Sequence, residues 1–363
     1  MKTVGRDLAQ CARHVLRKPW QADPHLTSLF ERTVWHSTSV VQIIDRSDVF
    51  RQWFREYTAH GSAQADLPMV SNLRSAKHRF ESSSKPLSRL VLHLAPVFKT
   101  CHRIAATRDS SHEGGLVRNW LKSITSEDIL QLALLADASD EGLLLVRQLD
   151  CEHFDLASLQ STVADFVARL DFLFLHRGCM TVENSFVQHC LGLLAAGQLQ
   201  VLPVSGTAGR VLRPPDSEAV QRCIRRMAVW AEMARAAVEA EFPNFLVLNS
   251  FAVFALSDDS QPVAAASPVD ETQWCHCQRL GKLFSVNPRE LAEQLSRLRP
   301  AAQAIKHNSK CSNHEAWRKA IQRCRREVRS FRGGANGRLA CRGDAVPGVV
   351  LEHLWCGTAV QRG

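Results

Sequence analysis

The sequence predicts a mainly α-helical protein: a large irregular helical domain with at most a short β-hairpin around residues 201–213. Three observations carry this. Apolar residues recur at spacings of three and four through Leu156–Phe174 and Val220–Val238. Helix-start patterns stand at Thr125 with Asp128 and at Asn287 followed by Pro288. β-Branched residues flank a glycine-containing turn in one stretch, Val201–Arg213.

Taken in order, Leu29–Tyr57 reads as one or two helices carrying Val34, Val41, Ile44, Phe50 and Phe54. Leu87, Leu90, Val91, Leu94 and Phe98 form the next stripe, with Pro86 suited to its first turn and Pro96 expected to kink or end it. After a polar loop, Thr107–Gly115, the capping box at Thr125 opens a helix to about Leu149. Leu156–Phe174 and Phe186–Ala196 follow as helices, then the hairpin, then a helix capped by Asp216 and ended by Phe242-Pro243. Phe245–Leu256 is continuously apolar, so periodicity does not separate strand from helix, and its helical neighbours favour helix. Ser257–Pro268 reads as a linker or surface loop. Asn287 starts a helix that Pro300 is expected to close, and Ser312 with Glu315 opens a last helix with Trp317, Ile321, Cys324 and Val328 as its buried stripe. These elements divide the chain into residues 1–84, a helical N-terminal region; 85–330, a large helical domain; and 331–363, a flexible Gly/Arg-rich tail.

Composition limits the function classes. With 363 residues, 45% hydrophobic and 22% charged, the chain can bury a core and is not a disordered one. No run of 18 apolar residues suggests a membrane span, so no membrane partner is expected. The first twenty residues lack a secretory core; their basic, acid-poor character leaves a mitochondrial presequence as an alternative. Twelve scattered cysteines read as reduced thiols, which places the protein in the nucleus or cytoplasm.

The net charge of +9 is concentrated in one place. Arg299–Arg342 holds twelve Lys/Arg against Glu315 and Glu327, whereas residues 1–298 are electrically balanced. Such a block is the footprint of a polyanion contact, most often nucleic acid. The candidate contacts are Arg318, Lys319, Arg323, Arg325, Arg326 and Arg329, with Arg318, Arg325 and Arg329 expected together opposite the Trp317/Ile321 stripe. The alternative is a solvated basic helix or an import signal.

Enzymatic motifs are absent. Gly192–Gly197 has the glycine spacing of a phosphate loop, but Gln198 stands where a Lys is required. Asp137, Asp140 and Glu141 are the densest acids in an apolar setting, and the solvated side of a helix accounts for them. The metal candidate is Cys275, Cys277, Cys311 and His314, a Cys-x-Cys and a Cys-x-x-His half-site for structural zinc. Against it, Cys277 can be a small core residue and His314 part of a first helical turn. No other cofactor is expected.

Asn72–Ser82 (Asn-Leu-Arg-Ser-Ala-Lys-His-Arg-Phe-Glu-Ser), followed by Lys85-Pro86-Leu87-Ser88-Arg89, resembles the RW-x-S region of hAT-superfamily DNA transposases, in the variant reading AKxRFxS…KPLxR. Similar stretches follow in the same order: Ala133–Ala138, Leu145–Glu152, Met227–Phe254 around Glu241–Phe245, Arg279–Phe284 and Glu315–Arg318. The resemblance implies that Arg79 and Phe80 stand near the end of the first part of a ribonuclease-H-like core and that most of residues 85–325 form its helical insertion. It also implies three metal-holding carboxylates, two before the insertion and one after. Here the chain departs from the pattern. Only Asp45 offers itself upstream, Phe80 replaces the motif's Trp, and the region after the insertion runs into Gly and Arg. The expectation is therefore a transposase-derived, catalytically inactive protein with low-specificity DNA binding through its last helix. The alternatives are a helical interaction or homo-oligomerisation module without a nucleic-acid role, and a metal enzyme.

Overall fold

In the computed structural model the described residues are 2–16, 23–65, 73, 81–151, 154–203, 209–242, 245–257 and 270–333. Arg79 and Phe80, the turn at 204–208, residues 258–268 and the tail from 334 onward lie outside them, as does the side chain of Arg329. Among the described residues the protein is mainly α-helical, with one antiparallel pair of two-residue strands. No helix among them is long and apolar enough to cross a membrane.

The helices are α1 (Lys2–Val15), α2 (Pro24–Phe30, continued by a π-type turn, Glu31–Trp35), α3 (Val40–Arg46), α4 (Asp48–Ala65), α5 (Glu81–Leu92), α6 (Leu94–Thr107), α7 (His112–Ser123) and α8 (Ser126–Leu149). They continue as α9 (Leu159–Leu170, with a π-type turn at Asp171–Leu175) and α10 (Phe186–Ala195). Strands β1 (Gln200–Val201) and β2 (Arg210–Val211) follow, pairing Gln200 with Val211 and Val201 with Arg210. The last helices are α11 (Ser217–Glu241), α12 (Phe245–Asn249, running into a 3₁₀ turn, Ser250–Phe254), α13 (Glu271–Phe284), α14 (Pro288–Ser309) and α15 (Asn313–Gly333). Phe245–Phe254 is thus helical, and the chain turns extended at Ala255.

The chain divides into two compact units: Arg6–Asp150 with Ala164–Phe242, and Met1–Gly5, Cys151–Val163 with Pro243–Gly363. In the larger unit α8 is the central element. Its residues Ile129 to Ala136 are all buried, and α2, α5, α10 and α11 pack against it. A helix apolar on every side belongs in a core. Its start is the expected capping box, with the Asp128 amide donating to Thr125 Oγ1 (3.1 Å) and the Thr125 amide to Asp128 Oδ2 (3.0 Å).

The second unit is built on Phe254, Leu280, Leu291, Leu295, Ala316, Trp317 and Ala320, all buried. Antiparallel α14 and α15, joined by a short turn, form one wall, and α13 with the Ser250–Phe254 turn forms another.

Four boundaries differ from expectation. Pro86 lies within α5, not in its first turn, because the helix begins at Glu81. The break associated with Pro96 falls at His93, placing Pro96 in the first turn of α6, where its missing N–H has no intrahelical role. The loop expected at Thr107–Gly115 is shorter and lies before an additional helix, α7, since α6 runs to Thr107 and Ser111 caps α7. Gly114 is required there: a Cβ would stand 1.9 Å from the Arg108 carbonyl oxygen.

The fourth correction concerns Pro300, which does not close α14. The helix runs on to Ser309 because three side chains spaced four and three apart bind carbonyls of the Val253–Ser257 segment. Arg299 donates to Val253 (2.6 Å), Gln303 to Ser257 (2.5 Å) and Lys306 to Leu256 (2.7 Å). With Leu298 and Ala302 buried, tertiary bonds compensate for the amide donor that proline removes.

Candidate nucleic-acid interface

The last helix is amphipathic, and its inner face is fixed. Asn313, Ala316, Trp317, Ala320 and Ile321 are buried, while Ser312 Oγ accepts the Glu315 amide (3.2 Å) at the start. Trp317 Nε1 donates to the Phe254 carbonyl at 2.8 Å, which sets the rotation of α15 about its axis. At 100° per residue, Arg326 stands opposite Trp317. Arg318, Arg323 and Arg326 are exposed, and Arg325 and Lys319 are half-buried. This corrects the expected trio: Arg326 occupies the outermost position, and Arg318 and Arg325 flank the buried stripe on its Ile321 side.

Lys319 is paired within the helix, 2.9 Å from Glu315, and that hydrogen bond holds the Glu315 carboxyl below its usual range. Arg323 lines a cleft between α15 and α14 together with Arg297 and Gln294. Two further members of the basic block, Arg299 and Lys306, are the carbonyl-binding residues of α14 and serve the core. Burial pushes the Arg299 guanidinium below its ordinary value, opposed by Cys277 and Asp270 nearby. The block read as uniform in the sequence is therefore divided between structure and surface.

The proposed zinc ligands are not brought together. Cys275 and Cys277 lie two residues apart on α13, hence on different faces, with Cys275 exposed and Cys277 buried. Burial pushes the Cys277 thiol up to about 11. Cys311 is half-buried before α15, and His314 lies in its first turn. Burial and Arg318 lower the His314 imidazole. Among the described residues no three His, Cys, Asp or Glu side chains form a group able to hold a metal ion.

The acids of α8 are joints between helices. Asp137 accepts the amides of Phe186 (3.0 Å) and Val187 (3.3 Å) at the start of α10. Asp140 accepts Ser88 Oγ (3.1 Å), and Glu141 meets Arg169 at 2.5 Å. Burial raises the Asp137 carboxyl to about 7, with Asp140 and Glu141 adding to the shift and the two amides opposing it. The face read as solvated is thus partly enclosed and fully partnered. Asp45 lies on the two-turn helix α3.

Sequence reasoning missed a polar network at the start of α8: Arg32 with Asp128 (3.0 Å), Arg222 with Glu127 (2.9 Å) and Arg226 with Asp23 (3.2 Å). Its partners lie 95 to 203 residues apart, and no local spacing announces them. Gln294 was also missed. It shares the α14 face with Arg297 and Leu298 at helical spacing, the one signal that could have found it.

Compared with protein-family models, with curated proteins and with solved structures, the chain matches none.

Proposed function

We propose that this protein is a transposase-derived, non-catalytic helical protein that binds DNA with low specificity through the outer face of α15. The observation that carries the reading is the division of that helix. Trp317 anchors one side in the core, while Arg318, Arg323 and Arg326 are exposed on the others and Arg325 is half-exposed. The acid of its first turn, Glu315, is occupied by Lys319. An array of guanidinium groups on a rigid rod binds phosphates without reading bases, and its affinity falls with salt. The hAT part of the reading rests on the collinear sequence motifs alone.

Strand cleavage is not part of this proposal, because Asp45 is the sole upstream carboxylate the motif arrangement offers and it sits on a helix. Anisotropy titration of a labelled duplex at increasing salt tests the binding. Affinity that does not change with salt removes the proposal. Metal-dependent nicking of DNA, abolished by Asp45→Asn, overturns the non-catalytic part.

One observation favours a second reading, an interaction or dimerisation module. Val229 and Met233, one turn apart on α11, are 57% and 37% exposed. Mass in solution with and without DNA separates the two: a dimer indifferent to DNA supports this second reading.

A further inference from the structure

We infer that the cleft between α3 and α7 is a site for a free apolar α-amino acid, with its carboxylate on Arg108, its ammonium on Glu113 and its side chain against Phe50. The cleft belongs to the larger unit and α15 to the other, so this proposal stands independently of the DNA reading. Its volume is about 410 Å³, within the range of small-ligand sites. Ile43 and Phe50, both buried, and half-buried Leu116 supply an apolar lining large enough for a leucine or phenylalanine side chain.

The second observation is a pair of opposite charges that line the same cleft without meeting. Among the described residues the Arg108 guanidinium and the Glu113 carboxylate have no hydrogen bond or ion pair, with each other or with any other group. A second guanidinium in the lining, that of Arg46, donates from Nη1 to the Ser37 carbonyl at 2.9 Å. The spacing of Arg108 from Glu113 is held by the backbone. The Ser111 amide and Ser111 Oγ both donate to the Arg108 carbonyl (3.0 Å each), and Ser111 Oγ accepts the Gly114 amide (3.0 Å). The turn that carries Arg108 is therefore fixed to the first turn of α7, which carries Glu113.

The charges select the ligand class. A plain anion is repelled by Glu113, and a plain amine by the two arginines. A ligand that satisfies both signs and covers the apolar lining carries a carboxylate and an ammonium close together on an apolar body, which describes a free leucine or phenylalanine. Each contact is a charge-assisted hydrogen bond.

Calorimetry of the full chain with leucine, phenylalanine, N-acetyl-leucine and leucinamide tests this, for the native protein, Arg108→Gln and Glu113→Gln. The native protein is expected to bind leucine and phenylalanine about tenfold tighter than either blocked derivative. Arg108→Gln keeps the carbonyl that holds the turn; it is expected to weaken leucine about tenfold and leave leucinamide unchanged. Glu113→Gln is expected to weaken leucine by a similar factor and leave N-acetyl-leucine unchanged or tighter.

Absence of leucine and phenylalanine binding overturns the inference. N-acetyl-leucine or leucinamide bound as tightly as leucine reduces the cleft to a site for a single charge and overturns it as well. So does unaltered leucine affinity in either variant with a native circular dichroism spectrum. If a variant does not fold, Leu116→Trp takes its place: its bulk fills the apolar side and is expected to abolish leucine binding, and retained binding overturns the inference. Duplex binding and its salt dependence are measured alongside, and they decide the α15 proposal without bearing on this one.

Discussion

Trp317 and Phe254, 63 residues apart in sequence, are joined twice: the indole Nε1 donates to the Phe254 carbonyl at 2.8 Å, and the two rings meet edge to face with centroids 5.8 Å apart at 88°. The pair ties the last helix to the turn that follows α12 and leaves the arginines of α15 facing outward. Trp317→Phe keeps an aromatic ring but orphans the carbonyl. It is expected to cost about 1–3 kcal/mol in urea unfolding, with DNA affinity unchanged in the folded fraction. Trp317→Ala adds a cavity and is expected to cost about 3–5 kcal/mol.

The division of the basic block gives opposite outcomes for residues of the same charge. Arg318→Gln with Arg326→Gln is expected to reduce the log–log salt slope of duplex binding by about 2, at about 0.9 per phosphate contact, and to leave the melting temperature unchanged. Arg299→Gln is expected to do the reverse. It leaves the Val253 carbonyl with a weaker partner, so stability falls by about 1–3 kcal/mol while the salt slope holds.

Asp137 gives the larger unit a pH dependence with a definite sign. Its folded-state carboxyl titrates at about 7, raised chiefly by burial above the value of an ordinary aspartate. The fold therefore favours the protonated form. The stability linked to this group is fully present below about pH 4 and is lost as pH rises through 7. Asp137→Asn removes the titration. The difference in unfolding free energy between the native protein and this variant is expected to move against the native protein by a few kcal/mol between pH 4.5 and 7.5, at about 1.4 kcal/mol per pKa unit. Urea unfolding at the two pH values measures it.

Gly114 is a steric requirement at the start of α7. Gly114→Ala places a methyl carbon 1.9 Å from the Arg108 carbonyl oxygen, and backbone must move to admit it. Destabilisation of about 1–3 kcal/mol is expected, although alanine has the higher helix propensity. Gly115 has no heavy atom within 4 Å of an added Cβ, so Gly115→Ala serves as the control and is expected to be neutral or stabilising by thermal melting.

Local chemistry decided much of this protein from sequence alone. The Thr125–Asp128 box, the Asp216 and Asn287 caps and the three-and-four spacing of Leu291, Leu295 and Leu298 act within one or two helical turns, so reading neighbours suffices. The mainly helical class, the hairpin and the Trp317 and Ile321 part of the last helix's buried stripe were legible for that reason, while Cys324 is half-buried and the Val328 side chain lies outside the described residues. The excess charge of the C-terminal segment was legible as well, since it is a sum over residues.

Only the tertiary structure decided what that charge and those acids do. Arg299 and Lys306 look like Arg326 in a charge count, but they reach carbonyls 46 and 50 residues away and carry α14 past Pro300. Asp137 looks like a solvated helix residue until α10 brings two amides to it from 49 and 50 positions downstream. Cys275 and Cys277 look paired along the chain, yet a helix turns them to different faces. The physical reason is common to all of them. Burial and hydrogen-bond partners fix the role of a polar group, and both are set by segments far apart in sequence that only packing brings together.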